Sequence, residues 1–168
     1  MHIYKKIFFL ILLIFPFNVY GESKIAYVDL DFVLTNTNAG KIIFEKLENN
    51  EKLKKNIFID KENKLKDEEN KILASRNIIS KEQLDININE FQNKLKDYRN
   101  YKSEELKKLN KIKNDEIVKL LNLINPLIQE YMKSNSINFL MDKKNIYIAD
   151  KSYDLTNKLI EIINKKIK

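Results

Sequence analysis

The sequence predicts a mainly α chain with a small β body (α+β), in which a long antiparallel coiled-coil hairpin is inserted in a small β-sheet that oligomerises. Three observations predict it. Residues 39–133 are almost free of Gly and Pro and show no β alternation. Within them apolar residues recur at four- and three-residue steps, the mark of a helical seam. The segments on either side, 24–30 and 137–149, are short and β-prone.

Residues 1–6 carry Lys5 and Lys6, residues 7–15 are an unbroken apolar run, and Pro16 precedes a polar stretch ending Val19-Tyr20-Gly21. This is the n-, h- and c-region order of an export signal, with Val19 and Gly21 at the −3 and −1 positions of a cut before Glu22. The alternative is a membrane anchor, but the run is about half of the roughly 20 residues that span a bilayer. The expectation is a cleaved signal peptide over 1–21 and a soluble envelope or secreted protein.

After the signal, residues 24–30 (KIAYVDL) read as a strand with Ile25 and Tyr27 on one face and Ala26, Val28 and Leu30 on the other. Both faces are apolar, so the strand should be covered on both sides. Residues 31–34 add a helical turn, and residues 35–38 form a loop that offers N-caps. Two helical arms follow, 41–76 and 81–133, about a tip near 74–80 where Ser80 is placed as an N-cap with Glu82 in the first turn. In the second arm Leu84, Ile88, Phe91, Leu95 and Tyr98 are spaced 4, 3, 4, 3. The seam drifts at Lys102, Leu106 and Leu109, as a stutter does, and resumes at Ile117, Leu120, Ile124, Leu127 and Tyr131. The first arm has a thinner stripe: Ile43, Leu47, Phe58, Leu65 and Ile72. The second arm is longer, so its last turns should pack on the body, with Pro126 kinking or marking that passage. Residues 137–141 and 146–149 then flank a turn-like 142–145 and read as a β-hairpin. Leu155, Leu159, Ile162 or Ile163, and Ile167 make a short amphipathic terminal helix. Residues 22–40 with 134–168 are thus a body, and 41–133 an arm. A body of three strands and a helix has little core and open edges, so self-association is expected.

Composition limits chemistry. The chain of 168 residues has no Cys, one His, two Gly and two Pro. His2, Pro16 and Gly21 fall in the signal, which leaves Gly40 and Pro126. Without His or Cys there is no Ser-His or Cys-His nucleophile pair, and no imidazole or thiolate metal site. One Gly cannot build a phosphate-cradling loop. No enzyme activity, cofactor, metal or nucleotide is expected. The formal charge of +7 suggests nucleic acid, but Lys, Ile and Asn dominate the sequence as AT-rich codon usage would make them. Only Arg76 and Arg99 could make bidentate contacts, so no nucleic-acid partner is expected.

At its two ends the chain resembles the Skp/OmpH family of periplasmic outer-membrane-protein chaperones. The resemblance is carried by K-I-A-Y-V-D at 24–29, Val33-Leu34 and Ala39-Gly40-Lys41, and by F-L-M-D at 139–142, I-Y-I-A at 146–149 and D-L-T at 154–156. It implies a homotrimer whose strands form a barrel-like core with three helical tentacles around a cavity. It also implies an ATP-independent holdase that keeps unfolded outer-membrane β-barrel proteins from aggregating in transit. Candidate trimer-body residues are Ile25, Tyr27, Val28, Phe139, Ile146 and Ile148. Candidate client contacts, off the seam or in the thin stripe, are Phe44, Ile57, Ile59 and Ile79. Mild positive charge is compatible with anionic lipid or lipopolysaccharide contact, for which no residues are assigned. The alternative is an envelope structural or adaptor coiled coil that binds a folded partner or the membrane surface.

Overall fold

The structure, a computed structural model, describes residues 23–167; the expected signal peptide and its cut before Glu22 lie outside the described residues. The elements run β1 (Lys24–Val28), α1 (Leu30–Asn36), α2 (Asn38–Ser75), α3 (Lys81–Ser134), β2 (Ile137–Asp142), 3-10 turns at Lys143–Asn145 and Lys151–Tyr153, and α4 (Thr156–Lys166).

Side-chain caps explain where the helices begin. Asp29 accepts a hydrogen bond from the Phe32 amide at 3.0 Å and starts α1. Thr37 closes α1 by donating its amide to the Val33 carbonyl, and opens α2 by accepting from the Gly40 amide at 3.2 Å. The expected loop over 35–38 therefore shrinks to Thr37 alone, because α1 continues through Asn36. This tight corner needs Gly40: a Cβ there would sit 1.7 Å from the Leu34 carbonyl oxygen. At the far end Ser80 accepts from the Gln83 amide at 3.2 Å and Glu82 occupies the first turn of α3, as the sequence predicts.

α2 and α3 form the antiparallel hairpin. Their cross-links show the direction: Lys54 meets Glu105, Glu62 meets Lys102, and Glu68 meets Lys94, so one number rises as the other falls. α3 runs through Pro126 without ending, and toward its C-terminal end its Leu120, Ile124 and Ile128 join Val28, Val33, Leu34, Leu159 and Ile163 in the buried core. The longer second arm thus packs on the body as its length requires.

The β structure departs from expectation. β1 and β2 are parallel, pairing Ile25 with Phe139, Ala26 with Leu140, Tyr27 with Met141 and Val28 with Asp142. The helical crossover makes that direction available. The predicted β-hairpin between 137–141 and 146–149 does not form. Asp142 instead accepts from the Lys144 amide at 3.0 Å, and the Ile146 amide donates to the Lys143 carbonyl at 3.1 Å. That 3-10 turn carries residues 146–149 away from β2, and they form no strand. A three-stranded sheet is likewise replaced by two strands and one bridge on the other edge of β1, where the Leu155 amide donates to the Tyr27 carbonyl at 2.9 Å. Two long-range bonds fasten α4 to the first segment: the Asp29 amide to the Thr156 hydroxyl at 2.9 Å, and the Asn38 amide to the Asn164 side-chain Oδ1 at 2.7 Å.

Candidate functional site

The parallel register sorts the two strands into an inner and an outer face. Val28 and Leu140 point inward to the helical core, whereas the alternate positions Ile25, Tyr27, Phe139 and Met141 fall on the outer face. Among these Tyr27 is buried, but Ile25, Phe139 and Met141 are exposed. Just past β2, Tyr147 is fully exposed and Ile148 is 85% exposed. An open cavity of about 980 Å³ lies here, lined by Ile25, Tyr27, Met141, Ile146, Tyr147 and Tyr153 among others. β2 has one paired edge; its other edge has no strand partner among the described residues. An apolar face beside an unpaired strand edge is a surface that associates.

Ion pairs border this face. Lys144 meets Asp31 at 2.5 Å and Lys143 approaches Asp154 at 3.8 Å, which pins the turn after β2 to α1 and to the β1 bridge. The hydrogen bond it donates to the Asp31 carboxylate holds the Lys144 ammonium above its ordinary pKa. Burial pushes the Asp154 carboxyl up, but the Thr156 hydroxyl and amide, with Lys143 and Lys151, outweigh it and leave the group below its ordinary value.

Of the candidate body residues, the structure brings Ile25, Tyr27 and Ile146 to the cavity. Phe139 and Ile148 are exposed, while Val28 is committed to the protomer's own core. The expectation that β1 is covered on both sides holds for Ala26, Tyr27 and Val28 and not for Ile25, which is exposed. Met141, Tyr147 and Tyr153 were missed as candidates. Met141 was legible as the residue two beyond Phe139 on the same face, and Tyr147 as the large aromatic of the I-Y-I-A segment.

The candidate client residues lie apart. Phe44 is half-buried and packs against the body core, Ile57 and Ile59 are exposed on the shaft, and Ile79 is half-buried in the tip turn. Other exposed apolar residues are strung along both arms: Leu53, Leu106, Ile112, Val118 and Leu123. Mid-shaft, Phe58, Ile59, Leu106 and Leu109 line an open groove of about 410 Å³.

Beside that groove the stutter at Lys102 becomes a polar layer. Phe58 is buried edge-on to Tyr101, ring centroids 6.2 Å apart. Lys102 stands 5.6 Å from the Phe58 centroid and bonds Glu62 at 2.7 Å, and Tyr98 donates to the same carboxylate. These hydrogen bonds, from Lys102 first and Tyr98 second, lower the Glu62 pKa. No group of three or more His, Cys, Asp or Glu among the described residues is placed to hold a metal ion.

A family model described as "Outer membrane protein (OmpH-like)" matches residues 24–163. A crystal structure from Caulobacter crescentus CB15, described as an outer membrane chaperone (OmpH-like), shares the fold with a TM-score of 0.72. It is 14% identical, and the match covers 87% of this chain and 86% of that one. A search of the curated proteins gave no match.

Proposed function

Because the chain belongs to the OmpH-like outer membrane protein family, we propose that it is an ATP-independent periplasmic holdase: a homotrimer that holds unfolded outer-membrane β-barrel proteins and prevents their aggregation. The observation that carries this is the arm. Its exposed apolar side chains are single and spread over both helices, separated by ion pairs such as Lys52–Glu48, Lys64–Asp60 and Lys111–Asp115. Such a surface makes many weak contacts and no single tight one, which suits an unfolded chain that must later be released without an energy source. Ile57 and Ile59, open on the shaft, are the first client contacts to consider, followed by Ile79 and Phe44.

Residues 22–40 and 134–168 serve as the assembly body in this reading and 41–133 as the arm, whose last turns in α3 pack on the body. The open face of Ile25, Phe139 and Ile148 is apolar enough to be covered by neighbouring copies. The signal peptide over 1–21 delivers the chain to the periplasm and is removed there. After residue 21 the chain has no His or Cys, so it lacks the residue types of the common nucleophile pairs and thiolate or imidazole metal sites, which supports a non-enzymatic role.

Dilution of a urea-unfolded outer-membrane β-barrel into buffer tests the proposal by light scattering. One trimer per client should suppress aggregation without nucleotide. Scattering unchanged at that ratio contradicts the holdase reading and favours an adaptor that binds one folded partner.

A further inference from the structure

Two residues, Glu22 and Ser23, separate the expected cut from the start of β1. Ser23 and Lys24 stand on the wall of the open cavity of about 980 Å³, beside Ile25, Tyr27, Met141 and Tyr147. The chain therefore enters the body at the cavity itself. Two charged side chains line that cavity, and both are engaged within the chain. Lys24 donates to the Asn135 carbonyl at 3.3 Å, and Asp150 accepts from the Ser152 amide at 2.8 Å. The rest of the lining is uncharged and largely apolar. Such a wall fits an uncharged apolar occupant.

Upstream of Ser23 the sequence supplies one. Residues 7–15 read Ile-Phe-Phe-Leu-Ile-Leu-Leu-Ile-Phe, without a polar side chain. Residues 16–22 join this run to Ser23 and span about 23 Å when extended, at roughly 3.3 Å per residue. That length is enough to return the run to a cavity that opens at its own point of attachment. A segment tethered so closely acts at an effective concentration on the order of millimolar. Separate copies that meet at micromolar concentration are at a disadvantage for the same apolar face. Export gives the competition a use, because a body already joined to other copies cannot be drawn across a membrane one chain at a time.

We propose that in the unprocessed chain residues 7–15 occupy the cavity beside Ser23 in cis and keep protomers apart until the cut before Glu22. In that cut water adds across the Gly21–Glu22 peptide bond, leaving a carboxylate on Gly21 and an ammonium on Glu22. The released segment then frees the face of Ile25, Phe139, Met141 and Ile148, all exposed in the protomer, for a second copy. One apolar face thus serves two occupants in turn, and processing sets when assembly starts. The proposal rests on the export and assembly readings above.

The test refolds the full chain, residues 1–168, and the chain from Glu22 onward from urea and compares their masses by analytical ultracentrifugation. Assembly of the full chain should be at least about tenfold weaker than that of the shorter one. A full chain with residues 7–15 replaced by Ser and Gly should assemble like the shorter one. Because the sequence has no Cys, engineered pairs read the contact directly. Leu12→Cys with Tyr147→Cys should form an intrachain disulfide in the full chain, whereas Leu12→Cys with Leu53→Cys should not. Tyr147 and Leu53 are both exposed, so neither change disturbs the core. Equal assembly of the full and shorter chains overturns the proposal, as does a block that persists in the Ser and Gly chain. Masses above that of the shorter chain's oligomer also overturn it, because the apolar run then seeks other chains. So does a disulfide that forms as readily at Leu53→Cys as at Tyr147→Cys. Single copies of both chains contradict the assembly reading instead, and the disulfide pairs then decide cavity occupation by themselves.

Discussion

Lys54 of α2 reaches across the hairpin to Glu105 of α3, Nζ to Oε2 at 2.5 Å, and the other carboxylate oxygen accepts from Lys108 at 2.8 Å. Glu105 is only 8% exposed and occupies a place in the seam that a leucine would otherwise fill. The two lysines, Lys108 first and Lys54 second, hold its pKa down to about 2. A carboxylate whose folded pKa is depressed stabilises the native state above its unfolded pKa and loses that contribution as pH falls.

The arm should therefore loosen between about pH 4.5 and 2 as Glu105 takes up a proton. Circular dichroism melts of the parent should show a falling midpoint across that window. Glu105→Gln should melt lower at neutral pH and show a shallower fall in acid. An identical acid profile for the two proteins would show that other carboxylates set the response.

The corner between α1 and α2 gives a second prediction. Gly40→Ala places a methyl 1.7 Å from the Leu34 carbonyl oxygen, with backbone on one side and the Thr37 cap on the other. Urea denaturation should show a loss on the order of 2–4 kcal/mol, since the corner must open and Val33 and Leu34 shift in the core.

Ser136, between α3 and β2, is the one non-glycine residue with positive φ among those described, at 55°. Ser136→Gly should stabilise by about 1 kcal/mol and Ser136→Val should destabilise, because a left-handed backbone crowds a Cβ and a branched one most. Thermal melts of the pair should move in opposite directions.

These sites divide according to what a sequence can carry. The hairpin was legible because Leu84, Ile88, Phe91, Leu95 and Tyr98 record a seam locally, and Ser80 and Glu82 record where it restarts. The drift at Lys102 was legible too, but not its content. Phe58, Tyr101, Glu62 and Glu105 come together only when the two arms are in register, and a buried Glu reads the same as an exposed one. The parallel pairing of β1 with β2 was hidden because alternation reports a strand and not its partner. Residues 146–149 alternate like a strand yet pair with no strand among the described residues, because the 3-10 turn at Lys143–Asn145 carries them away from β2.

That orphan segment leads to a prediction about assembly. Ile148→Asp should dissociate the oligomer in analytical ultracentrifugation while the protomer keeps its helical signal, because Ile148 touches none of the core. Ile124→Ala should do the reverse in kind. It leaves a cavity in the core under β1 and should cost about 2–5 kcal/mol of stability.

The central claim is that shape and distributed contact, with three copies joined at the body, hold one unfolded chain. The mass of the purified protein in solution, alone and after mixing with an unfolded outer-membrane β-barrel, tests it most directly. The account predicts three copies alone and three copies plus one client in the mixture. A single copy, or a trimer whose mass is unchanged by the client, would contradict it.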